Sequence, residues 1–159
     1  VHADPHPGNF LVDDQNQLIA LDFGCMKQIP NEFYEPYFEL INKNVITDQK
    51  LFNQKLFELE ILRPDDSPSE IEYFTEMFHD LLSLFTKPFQ NETFDFADET
   101  FFDSIAKLGE RFSNDTNLKK MNGNRGSKHF IYMNRTFFGL YNLMFDLKAK
   151  IVVENFKKY

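Results

Sequence analysis

The 159-residue chain contains no tryptophan, a single cysteine and only six glycines. One cysteine, Cys25, excludes an internal disulfide and fits a reducing compartment. No stretch approaches the run of about 20 apolar residues that a bilayer-crossing helix needs, and no signal peptide is visible at the start. Basic residues are also scarce, 17 Lys and Arg against 25 Asp and Glu, for a net charge of −8. Duplex nucleic acid binding relies on clustered cations that neutralise phosphates, so nucleic acid is excluded as a partner. The short pair Lys157 and Lys158 reads as a solvated end.

What is abundant is phenylalanine, 20 residues of it, within a hydrophobic content of 42%. That composition supports a globular core and argues against disorder. The length fits one domain, 1–159, large enough to bury a core.

Two short apolar runs, Phe10 to Asp13 and Leu18 to Asp22, flank Asp14-Gln15-Asn16-Gln17. This predicts a β-hairpin, since Asp and Asn tolerate turn backbone. Such a hairpin is marginal alone and is expected to pack on a helical body. After Gly24 the pattern becomes helical and no further strand is expected. A first helix is predicted from about Glu32 to Asn44. A second, capped by Thr47 or Asp48, carries Leu51, Phe52, Leu56, Leu59 and Leu62 toward the core and stops at Pro64. Ser67, Pro68 and Glu70 form a capping signature for a third, with Ile71, Phe74, Phe78, Leu81, Leu82 and Phe85 inward, ending before Pro88. A fourth, from about Asp98 to Phe112, places Phe101, Ile105, Leu108 and Phe112 at alternating steps of four and three. A loop is expected over Ser113 to Lys128. The last helix carries Phe130, Met133, Phe137, Leu140, Met144 and Leu147 at 3/4 spacing. The expected fold class is therefore α+β, mainly helical, with a hairpin near the N-terminus and a helical body over 32–159.

The chemistry concentrates in residues 2–24. Phosphoryl transfer requires metal ligands and a group that orients the attacking hydroxyl. Asp4 is followed five positions later by Asn9, and Asp22-Phe23-Gly24 closes the predicted hairpin. The hairpin returns the chain so that Asp22 approaches Asn9, and two hard oxygen ligands facing each other suit Mg²⁺. Parts of the pattern also fit other readings. Asp4-Pro5-His6-Pro7-Gly8 also fits a rigid turn. His2, Asp4 and His6 at alternate positions also suggest a transition-metal set, with no further His or Cys nearby to complete it. Cys25 reads as a small packing residue or a thiol beside a nucleotide. Gly123-Asn124-Arg125-Gly126 reads as a flexible loop before an anion nest.

HADPHPGNFLV followed by LIALDFG resembles the catalytic loop and metal-binding loop of the UbiB/AarF family of atypical protein-kinase-like proteins. The resemblance is close over residues 2–24. It implies a protein-kinase-like C-lobe in which Asp4 is the catalytic-loop aspartate and Asn9 and Asp22 hold Mg²⁺. His2 would brace the backbone, His6 would be a weak donor near the transferred phosphate, and Phe23 and Gly24 would shape the turn. It implies ATP or ADP and Mg²⁺ as cofactors, and an isoprenoid quinone precursor or a lipid as partner. The expected location is cytoplasmic with peripheral membrane association, the second half resting on the family.

The glycine-rich loop, the strand lysine and the family's K-x-G-Q motif have no counterpart in this sequence. The expectation is a C-terminal part of a longer protein, without the N-lobe and inactive alone, from an enzyme active at full length. Few residues separate Gly24 from the first helix and no A-P-E occurs. That favours small-molecule phosphotransfer or ATP hydrolysis over phosphorylation of proteins. The alternatives are an aminoglycoside- or choline-kinase-like small-molecule phosphotransferase and a nucleotide-binding pseudokinase module. Ala3 and Pro5 tilt the choice away from the first of these.

Overall fold

The computed structural model describes residues 1–90, 92–116 and 125–152. Lys157, Lys158, Gly123 and Asn124 lie outside the described residues, as does much of the loop expected over 113–128.

The chain begins with a short 3-10 turn at Pro7–Asn9, followed by β1 (Phe10–Val12) and β2 (Leu18–Ala20). These pair antiparallel with Phe10 opposite Ala20 and Val12 opposite Leu18. Asp13 makes the turn. Its Oδ1 accepts from the Gln15 and Gln17 amides at 2.9 and 2.8 Å, and Asn16 takes the left-handed φ of 60° that asparagine tolerates.

The hairpin is present as the sequence predicts, but it does not bury itself on the helices. Leu11, Val12, Leu18 and Ile19 are all exposed, so side chains on both faces reach solvent. The hairpin is held at its base instead. Residues 1–3 run antiparallel to 25–27, with Ala3 N donating to Cys25 O at 3.0 Å and Lys27 N to Val1 O at 2.8 Å.

The helical body follows. The first predicted helix is two, α1 (Asn31–Leu40) and α2 (Lys43–Thr47). The break falls where Asn42 turns out of the helix and its side chain caps α2 by accepting from Asn44 N. α3 (Gln49–Glu58) starts at Asp48, whose Oδ1 accepts from the Lys50 and Leu51 amides. It ends well before Pro64, because Glu60 adopts φ 60° and the Ile61 and Leu62 amides fold back onto Leu56 O. Leu51, expected inside, is exposed. Phe52, Leu56, Leu59 and Leu62 are buried.

α4 (Pro68–Phe85) has the capping box read from its sequence. Ser67 Oγ accepts from Glu70 N, and the Glu70 carboxylate accepts from Ser67 N at 2.9 Å. α5 (Glu99–Asn114) is capped by Asp98, and α6 (His129–Asp146) forms the last long helix. Two strands were missed from sequence. β3 (Thr93–Asp95) pairs antiparallel with β4 (Lys150–Val152), Phe94 lying opposite Ile151. At three residues each, both are too short to show an alternating pattern. Leu147, expected on the buried face of the last helix, is exposed because the helix ends at Asp146.

Two apolar clusters hold the body together. One gathers Phe33, Tyr37 and Leu40 of α1, Phe52 and Leu56 of α3, Phe74 of α4 and Met133 of α6. The other joins Leu84, Phe96, Phe101, Ile105 and Tyr141. Phe137 packs against both clusters. A buried ion pair adds a polar tie: Arg125 Nη1 reaches both Asp66 carboxylate oxygens at 2.6 Å. Its guanidinium carbon lies 4.1 Å from the centre of the Phe74 ring. Burial pushes the Asp66 carboxyl up, but the hydrogen bonds from Arg125 and from the Arg63 amide outweigh that and hold it below the usual carboxylate range.

Candidate active site

Residues 2–9 and 22–27 meet at the base of the hairpin. β1 and β2 extend the pairing inward, where Leu21 N donates to Asn9 O at 2.8 Å. The register thus sets Leu21, the residue before Asp22, opposite Asn9. Asn9 Nδ2 donates to the Asp4 carbonyl at 2.9 Å and to Asp4 Oδ2 at 3.1 Å. The side chain of Asn9 therefore closes the loop over residues 4–9 from within.

His2 connects the two halves. Its Nδ1 accepts from Asp4 N at 3.3 Å, and its Nε2 lies 2.8 Å from the carbonyl of Asp22. One neutral tautomer satisfies both contacts, with Nδ1 bare and Nε2 carrying the proton that is donated to Asp22 O. The ring also packs on Phe10, 5.3 Å between centroids. With both nitrogens engaged, His2 has none left to ligate a transition metal. His6 spends its Nδ1 on the amide of Gly8 at 3.1 Å, capping the 3-10 turn.

Asp22 Oδ1 accepts from Gly24 N at 2.7 Å, which folds the Asp-Phe-Gly turn back on its own carboxylate. Phe23 is exposed, at 64%. Cys25 is also exposed, so it is not the small packing residue weighed from sequence. Among the described residues no group of three His, Cys, Asp or Glu side chains is placed to hold a metal ion. The donor set of the proposed Mg²⁺ site does not depend on such a group. Asn9 Oδ1 and Asp22 Oδ2 remain as hard oxygen donors once the hydrogen bonds above are made. An amide oxygen and a carboxylate suit Mg²⁺, which takes few protein ligands and completes its shell with phosphate and water.

The helical body reaches this loop through α6. Thr136 Oγ1 lies 3.1 Å from the His2 carbonyl, and Pro5 is buried against Gly139. Neither α6 residue was singled out from sequence, because each is linked to its partner by more than 130 residues of chain. Arg125 was read as part of a loop or an anion nest. It is instead buried against Asp66, and Gly126 N donates to Glu60 O at 3.0 Å.

Comparison with known proteins matches the same segment. The family model of the ABC1 atypical kinase-like domain covers residues 1–56. ACTIVITY OF BC1 COMPLEX KINASE 7, chloroplastic, of Arabidopsis thaliana is 34% identical over 101 residues, covering 64% of this chain and 14% of that protein. An uncharacterized aarF domain-containing protein kinase, chloroplastic, of the same plant is 36% identical over 83 residues, covering 52% and 12%. An uncharacterized Synechocystis protein is 31% identical over 108 residues, covering 63% and 17%. This chain therefore spans less than a fifth of the length of those relatives. No solved structure matches it. Over residues 1–56 the chain is similar to an atypical kinase-like domain. Within that class, the match is to the ABC1 family, and the two Arabidopsis relatives carry the aarF and ABC1 names. No helix among the described residues is long and apolar enough to cross a membrane.

Proposed function

We propose that this chain carries the catalytic and metal-binding loops of an ATP- and Mg²⁺-dependent phosphotransferase or ATPase, within a protein-kinase-like C-lobe. The observation that carries the reading is the connection of Asp4, Asn9 and Asp22 through His2. A single imidazole joins the Asp4 amide to the Asp22 carbonyl, while Asn9 bonds the Asp4 carboxylate.

In this reading Asp4 accepts a hydrogen bond from the attacking hydroxyl or water and orients it. Asn9 Oδ1 and Asp22 Oδ2 hold Mg²⁺. When bound, the ion neutralises charge on the phosphoryl oxygens. Asn9 also fixes the direction of Asp4, and His2 holds both loops in register. The nucleotide-covering lobe comes from outside these residues.

The acceptor is a small molecule or water. α1 begins at Asn31, so only Cys25 to Pro30 follows the Asp-Phe-Gly turn before the helical body. That segment is too short to form a platform for a peptide. An isoprenoid quinone precursor or a lipid, met at a membrane surface, is the acceptor class that the resemblance to this family suggests.

The test is ATP turnover by the full-length protein that carries this chain. Asp4→Asn keeps the shape of the side chain and removes its charge. It is expected to lower turnover by at least a hundredfold, in the range of a lost general-base group. Unchanged turnover would refute the role of Asp4.

A further inference from the structure

Between α1, α4 and α6 lies a cavity of about 270 Å³. Its walls are aromatic and aliphatic, formed by Tyr37, Leu82, Phe85, Phe89, Phe137 and Tyr141. Two hydroxyls of the lining are spent on backbone carbonyls. Tyr141 Oη donates to Phe85 O and Thr86 Oγ1 donates to Leu82 O, each at 2.7 Å. An occupant therefore meets hydrocarbon.

The rim is different. Arg135 and Phe138 stand there, both exposed. Arg111 and Arg125 are paired with Asp80 and Asp66. Arg135 makes no ion pair among the described residues, in a chain of net charge −8. Arg135 and Phe138 also wall a second concavity, which contains Ala3, Asp4, Pro5 and His6.

We propose that this cavity binds an anionic aromatic amphiphile, with its ring system inside and its acidic head paired with Arg135 at the rim. Size sets the class: an apolar cavity of about 150 Å³ accommodates benzene, so this one takes roughly two fused rings. The lining sets the shape, since rings offer both edges and faces to a flat occupant. The exposed Arg135 guanidinium sets the head, because a guanidinium recognises a carboxylate or phosphate through two parallel hydrogen bonds. The shared wall places that head beside the catalytic loop. Any effect of an occupant on phosphotransfer rests on the function proposed above; the binding itself does not.

The experiment compares three probes of one ring system by isothermal titration calorimetry: 2-naphthoate, 2-naphthylmethanol and 2-naphthylmethylammonium. The protein is expected to bind 2-naphthoate at one site, at least tenfold more tightly than the ammonium compound. Arg135→Gln, a change at an exposed position, is expected to remove that preference and leave the circular dichroism spectrum unchanged. Leu81→Trp fills the cavity from its α4 side and is expected to abolish binding of all three. Absence of saturable binding, or equal affinities indifferent to Arg135→Gln, overturns the proposal. Asp22→Asn, measured in parallel, is expected to leave naphthoate binding intact whatever happens to nucleotide binding. Failure of this site and failure of the proposed phosphotransfer function are thus read separately.

Discussion

Pro5 and Gly139 meet so closely that a Cβ on Gly139 would sit 2.5 Å from Pro5 Cγ and 2.9 Å from Cδ. A rigid ring in the loop that carries Asp4 thus rests directly on the backbone of α6. Replacing a mid-helix glycine by alanine normally stabilises by about 1 kcal/mol. Here the methyl group meets a proline ring with no rotamer to yield, and overpacking of that kind costs about 1–3 kcal/mol. Gly139→Ala is expected to lower the urea midpoint, with the loop pushed off the helix. A raised midpoint would show that the contact has slack.

The capping box at α4 gives a second, local prediction. Ser67→Ala removes the acceptor for Glu70 N and one anchor of the Glu70 carboxylate. The expected loss is about 1 kcal/mol, measured by urea denaturation. Ser67→Asp keeps a capping oxygen and is expected to retain most of that stability.

The Asp66–Arg125 pair predicts a pH dependence. Asp66→Asn leaves a buried guanidinium whose remaining carboxylate neighbour among the described residues is Glu70, 3.7 Å from Nη2, and is expected to cost about 3 kcal/mol at neutral pH. The folded carboxyl titrates below its unfolded value, which is about 3.9. Its contribution is therefore complete above that value and is lost as pH falls through the lower folded one. The stability gap between wild type and Asp66→Asn should be constant above about pH 5 and shrink below about pH 4. A gap that narrows between pH 6 and 8 would assign the dependence to another group.

What could be read from the sequence was what local spacing encodes. Asp48, Ser67 and Asp98 announced their helices because a capping side chain acts within three residues of itself. The Asp4, Asn9 and Asp22 arrangement was legible for the same reason, with a two-strand return bridging the gap. Long-range ties were not. Arg125 finds Asp66 59 residues away, and nothing near either residue signals the pairing. The break between α1 and α2 was hidden because helical residues continue on both sides of Asn42. The hairpin's solvent exposure also ran against expectation: Leu11, Val12, Leu18 and Ile19 look like core residues in sequence and are uncovered in this chain.

The central claim is that Asn9 and Asp22 hold the Mg²⁺ of a nucleotide. Thermal unfolding of the full-length protein, with and without MgADP, tests it most directly. A ligand present at a hundred times its dissociation constant stabilises by about 2.7 kcal/mol, enough to raise the midpoint by several degrees. Wild type is expected to show that rise only when Mg²⁺ is present, and Asp22→Asn is expected to show none. An equal, Mg²⁺-dependent rise in Asp22→Asn would contradict the account.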